Sequence, residues 1–148
     1  MKTGKPTIAL RSILGLIFVA APLSAALHLA PEPALPPGAA AFSKALAATG
    51  YMLPLLWSTE IAAGLLLLRG ILVPFALVLL APVIVNIGAF HVFLAPGAMP
   101  GAIVVGALEI FMAWQYRAAF GPLFAAARQT NPGQGEDPQQ DGRKIRAA

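Results

Sequence analysis

The chain has 148 residues, 58% hydrophobic and only 11% charged, a balance too apolar for an ordinary soluble domain and long enough for one membrane domain. It contains no cysteine, which excludes disulfides, thiolate metal sites and iron–sulfur clusters, so any electron transfer needs a bound cofactor or a partner. The net charge of +4 does not point to nucleic acid, because the basic residues flank apolar runs instead of forming a basic face.

Residues 1–7 are polar and read as a short N-terminal segment. An apolar run follows from Ile8 to about Ala30, long enough to cross the roughly 30 Å hydrocarbon core, with Arg11 close enough to its end to snorkel. A secretory signal peptide is the competing reading, given the basic start and the small residues Ser24 and Ala26. The run is longer than a usual signal core, which favours a retained span.

Pro31 to Gly38 is a Pro-rich turn, and residues 39–48 predict a short helix with Phe42 and Leu46 on one side and Ser43 and Lys44 toward the other. Such a helix fits the membrane interface. The second span is predicted over residues 51–68, overwhelmingly apolar with one carboxylate, Glu60, at its centre, and with Tyr51 and Trp57 toward its outer part. Arg69-Gly70 leaves room only for a tight hairpin, so the third span, Ile71 to about Leu94, must be its antiparallel neighbour. Pro82 should kink that span, Asn86 stands one turn beyond, and His91 lies near its far end. After the loop at residues 95–100, a fourth span runs from Gly101 to between Tyr116 and Phe120 and carries Glu109. The membrane domain is thus placed at residues 8–124. Residues 125–148 hold too little apolar surface to fold and read as a disordered tail.

These elements predict an all-α fold: an antiparallel four-helix transmembrane bundle with a Pro-rich outer loop and a short interfacial helix. Of the ten Lys and Arg residues, Lys2, Lys5, Arg11, Arg69, Arg117, Arg128, Arg143, Lys144 and Arg146 fall on one side and Lys44 alone on the other. The positive-inside rule then places both termini in the cytoplasm, in a multi-pass protein of the cytoplasmic (inner) membrane.

Ionisable groups inside spans are functional candidates by default. Glu60 is eight residues from Leu68 and Glu109 eight from Arg117, so both lie at the same depth, roughly 12 Å from the inner end. Two carboxyls sharing a dry site cannot both ionise cheaply and can hold one proton between them, which suits a proton relay or a bond to a polar ligand. Equally, each can serve packing alone, bonded to a neighbouring helix. His28 and His91 both lie roughly 30 Å from the inner end, level at the outer face. They could meet a quinol or, as a weaker reading, ligate haem axially; an interfacial role is the plainer one. Asn86 could bond a freed carbonyl, another helix or a ligand. No nucleotide fingerprint, zinc signature or nucleophile elbow occurs, and no metal site is expected.

Gly50-Tyr51 with Pro54-Leu55, the run Glu60-Ile61-Ala62-Ala63-Gly64-Leu65, Ala81-Pro82 before Val85-Asn86-Ile87, and Phe90-His91-Val92-Phe93-Leu94 with Pro96 resemble the DoxX and DoxX-like family of small four-helix membrane proteins. The resemblance spans residues 8 to 124, is densest in the two middle spans and is loose in the fourth. The end of the first span departs from it: Leu23-Ser24-Ala25-Ala26-Leu27 stands where the family usually has a lysine flanked by aromatics. The resemblance implies a membrane subunit associated with quinone-linked oxidoreductases or with complexes that resist oxidative stress. On that reading the chain is an accessory subunit, not a self-sufficient enzyme. It has no intrinsic cofactor, quinone is the candidate ligand, and Glu60, Asn86, His91 and Glu109 form the polar lining. The lipid bilayer, an oxidoreductase subunit and a second copy of the chain are the expected partners. The alternatives are a proton-coupled small-solute permease, which with only four spans would need an oligomer, and a purely structural membrane partner.

Overall fold

A computed structural model describes residues 4–29, 31 and 34–122, and among these no strand occurs. The elements are α1 (Lys5–Ala26), α2 (Pro37–Ala48), α3 (Met52–Arg69), α4 (Val73–Phe93), a 3-10 turn at Pro96–Ala98, and α5 (Met99–Gln115). Among the described residues, four helices are long and apolar enough to cross a membrane: α1, α3, α4, and α5 taken with its preceding turn. The chain is an all-α, multi-pass four-helix bundle suited to a lipid bilayer. Residues from Arg117 onward belong to a separate unit, of which 117–122 are described and helical. The fourth helix ends at Gln115 and is capped by Tyr116, the nearer of the two expected ends. The tail assigned to residues 125–148 lies outside the described residues.

The first span also stops early, at Ala26 instead of Ala30. His28 takes a left-handed conformation (φ 52°), and its N–H and that of Leu29 turn back to the carbonyls of Ala25 and Ser24, at 3.3 and 3.0 Å. That paired closure satisfies carbonyls that would otherwise end the helix unbonded. A glycine-like closure recurs at the end of α3: Gly70 (φ 72°) donates to Leu67, and Ile71 to Leu66. Leu72, also left-handed, then starts α4 with Pro74 in its first turn, where no N–H is needed. Between α2 and α3 the turn is built by Thr49, whose hydroxyl donates to the Leu46 carbonyl at 2.6 Å and accepts from the Met52 N–H at 3.1 Å.

α1 packs most extensively on α3, α3 on α4, α4 on α5, and α5 returns to α1. The helices thus form a closed ring in which α1 and α4 stand diagonally, as do α3 and α5. One end of the bundle carries the α3–α4 hairpin, and the other carries α2 and the 3-10 turn. The core is filled by Leu14 and Phe18 of α1, Ala63 and Leu67 of α3, Ala76, Leu77 and Leu80 of α4, and Met112 of α5. Lipid tails are as apolar as these side chains, so close packing, not water exclusion, holds the helices together. Two helix backbones come into direct contact where Gly15 meets Gly64: a Cβ on Gly15 would lie 2.9 Å from the Gly64 carbonyl oxygen, and one on Gly64 would lie 2.8 Å from that of Gly15. Only glycine permits two helix backbones to meet at that separation.

Candidate functional site

Glu60 belongs to the inward stripe of α3, with Ala63, Gly64 and Leu67 at helical spacing, and is 9% exposed. Glu109 occupies the matching stripe of α5, with Ala102 and Met112, and is 8% exposed. Both acids therefore face the bundle interior, from helices that stand diagonally. No hydrogen bond joins them, and neither has a hydrogen-bond or ion-pair partner among the described residues. The Oε2 atom of Glu109 is completely enclosed without a partner. Leaving a buried polar atom unpaired costs about 1–3 kcal/mol, so this oxygen is a poor element of mere packing. The hydroxyls just before Glu60 on α3 behave differently. Ser58 and Thr59 both donate to the Leu55 carbonyl, at 2.9 Å, and are satisfied within their own helix.

His91 lies at the opposite end from the hairpin, half-buried, in a cleft of about 400 Å³. The walls come from three segments: Ala34, Leu35 and Pro36 of the segment before α2, Phe90 and His91 of α4, and Ala95, Gly97 and Ala98 at the 3-10 turn. The His91 Nδ1–H donates to the Ile87 carbonyl at 2.7 Å, because a carbonyl can only accept. That bond fixes the ring and leaves Nε2 as an acceptor in the neutral tautomer. Phe90 packs edge-on to the imidazole at a centroid distance of 5.4 Å, and Phe42 of α2 lies 5.8 Å from Phe90. The cleft is thus an apolar, ring-lined space with one oriented nitrogen. Its volume falls within the roughly 300–1,000 Å³ range of small-molecule sites.

The candidates drawn from the sequence separate into four places. Glu60 and Glu109 share the interior. His91 lines the end cleft, whereas His28 is exposed, closes α1 and is absent from the cleft walls. Asn86 is exposed on the outer side of α4 and joins neither group. No cluster of three or more His, Cys, Asp or Glu capable of holding a metal occurs among the described residues. The cleft-forming role of Leu35, Pro36 and Phe90 was missed from sequence, where the Pro-rich loop was the one available signal. Arg11, read as close enough to the end of its span to snorkel, lays its guanidinium against Gly70 at the end of α3, where helix carbonyls carry partial negative charge.

No family model, curated protein or solved structure matches the chain.

Proposed function

We propose that the chain is a membrane accessory subunit for quinone-linked redox chemistry, binding the ring of a quinone or quinol in the cleft at His91. The observation that carries this reading is the cleft itself: an apolar space bordered by Phe90 and Leu35, with the imidazole held through Nδ1 by Ile87, which leaves Nε2 to accept from the hydroxyl of a bound quinol. The prenyl tail of such a ligand would run along the exposed apolar surface of the helices. With no cysteine to hold an iron–sulfur cluster or a redox disulfide, electrons on this reading pass to or from a partner oxidoreductase. The DoxX-like pattern around Glu60, Asn86 and His91 supports the same role.

The test is extraction of lipid-soluble cofactors from the detergent-purified protein, with a reduced-minus-oxidised spectrum. Quinone is expected in near-stoichiometric amount, and His91→Ala should weaken its binding about tenfold, the worth of one hydrogen bond of roughly 1.4 kcal/mol. An extract free of quinone, together with unchanged titration of added quinone by the His91→Ala variant, would sink the reading.

A second reading, a proton-coupled permease, draws on the enclosed, unpartnered Oε2 of Glu109 and the equally inward Glu60. Proton-driven uptake in vesicles that Glu60→Gln abolishes would select it over the first.

A further inference from the structure

Asn86 is exposed although it stands well inside a membrane span, seven residues before α4 ends at Phe93. At a rise of 1.5 Å per residue, roughly 10 Å of helix separate it from that end. Its amide makes no hydrogen bond among the described residues, and lipid tails can offer none.

The residues around Asn86 on the same side are exposed as well. Phe75, Val78, Pro82, Val85, Ala89 and Phe93 recur every three or four positions, with Val85 72% and Phe93 80% exposed. The opposite stripe, through Ala76, Leu77, Leu80 and Val83, is the one committed to the core. A second polar feature lies on this outer side. Pro82 brings no N–H, so the Val78 carbonyl lacks the donor that an uninterrupted helix would give it.

We propose that this face of α4 receives a second copy of the chain, packed parallel about a two-fold axis along the membrane normal, with the two Asn86 amides hydrogen-bonded to each other. A carboxamide is its own complement, since it carries both donors and an acceptor. Two copies inserted with one topology bring identical residues to identical depth, and a two-fold axis sets each residue opposite its own equivalent. A different protein would have to place a polar group at that depth independently; the second copy has it by construction. Ala89 and the compact ring of Pro82 let the helices approach at the level of the amide.

The chain's lack of cysteine makes single-cysteine mapping direct. Full-length protein carrying Ala89→Cys, oxidised in lipid vesicles, should form a disulfide-linked dimer, which needs the paired Cα atoms within about 7 Å. Ile103→Cys, on the exposed side of α5 (62% exposed), should form no such cross-link. Energy transfer between differently labelled copies, followed as lipid is added, reads the dissociation constant. Asn86→Leu should raise that constant about three- to tenfold, and Asn86→Gln should restore most of the loss. Equal cross-linking at Ala89→Cys and Ile103→Cys, a monomer at every lipid ratio, or an Asn86→Leu constant equal to that of the parent would each overturn the proposal. A native-membrane cross-link from Ala89→Cys to a different protein in place of a second copy would do the same.

Discussion

Replacing Gly64 by alanine puts a methyl carbon 2.8 Å from the Gly15 carbonyl oxygen, 2.8 Å from Val19 Cγ2 and 3.1 Å from the Phe18 carbonyl carbon. The valine methyl can rotate, but the two backbone atoms belong to α1 and move only if the helices separate. Separation by about 0.5 Å already forfeits roughly a quarter of each dispersion well along the seam. Overpacking of this kind costs about 1–3 kcal/mol, and the presence of two backbone obstacles argues for the upper half of that range. Alanine regains up to ~1 kcal/mol of helix propensity, so the net destabilisation is expected at about 1–2 kcal/mol. Gly106 is the control, since a Cβ there meets nothing within 4 Å. Gly106→Ala should stabilise by up to ~1 kcal/mol, opposite in sign. Reversible unfolding in mixed micelles, followed by circular dichroism, measures both. Gly15→Ala should resemble Gly64→Ala, and the double variant should cost less than the sum, because helices already separated admit the second methyl more cheaply. If Gly64→Ala and Gly106→Ala shift stability in the same direction, or the pair is additive, the backbone-contact argument fails.

The remaining expectations concern the acids, the hairpin and the cleft. Glu109→Leu removes an enclosed oxygen that has no partner, so it should leave stability unchanged or raise it by ~1–2 kcal/mol in the same unfolding assay, while abolishing whatever function the carboxyl serves. A loss of more than about 2 kcal/mol would show instead that the acid is structural. Gly70→Ala forces a side chain into a left-handed closure and against the Arg11 guanidinium, so a loss of about 1–2 kcal/mol is expected. Arg11→Ala in the same chain should recover only part of that loss, since the backbone cost persists. His91→Phe keeps a ring in the cleft but removes the bond to Ile87; quinone affinity should fall about tenfold with a stability change of no more than ~1 kcal/mol, read by titration and by unfolding.

The number of spans, the hairpin at Gly70 and the place of Glu60 midway along its helix follow from the sequence because each depends on one-dimensional properties: run length, turn chemistry and residue count. Direction around the helix axis is another matter. A helix surrounded by lipid on one side and by apolar helices on the other is hydrophobic all round, so its periodicity does not reveal which side is inner. Asn86 shows this directly. It was grouped with Glu60 and Glu109 by its polarity, yet α4 buries Ala76, Leu80 and Val83 and turns Asn86 outward. His28 and His91 were likewise matched by depth alone. One closes a helix with a left-handed backbone and the other lines a cleft, a distinction set by local turn geometry and by how the segment before α2 folds. The approach of Gly15 to Gly64 was equally invisible, since glycine in a span gives no sign of its partner.

The ring order of the bundle matches the order of synthesis. α3 docks on α1, α4 on α3, and α5 on α4 while closing onto α1, so each arriving helix finds its main neighbour already in the membrane. No helix has to wait unpartnered for a distant segment, apart from α1 during the emergence of the short α2. The most extensive seam, between α1 and α3 at Gly15 and Gly64, is also the first that can form. The two acids enter at different stages, Glu60 with the second span and Glu109 with the last. The polar interior is therefore completed only by the final insertion step, and a chain halted before α5 would leave Glu60 facing an open side of the assembly.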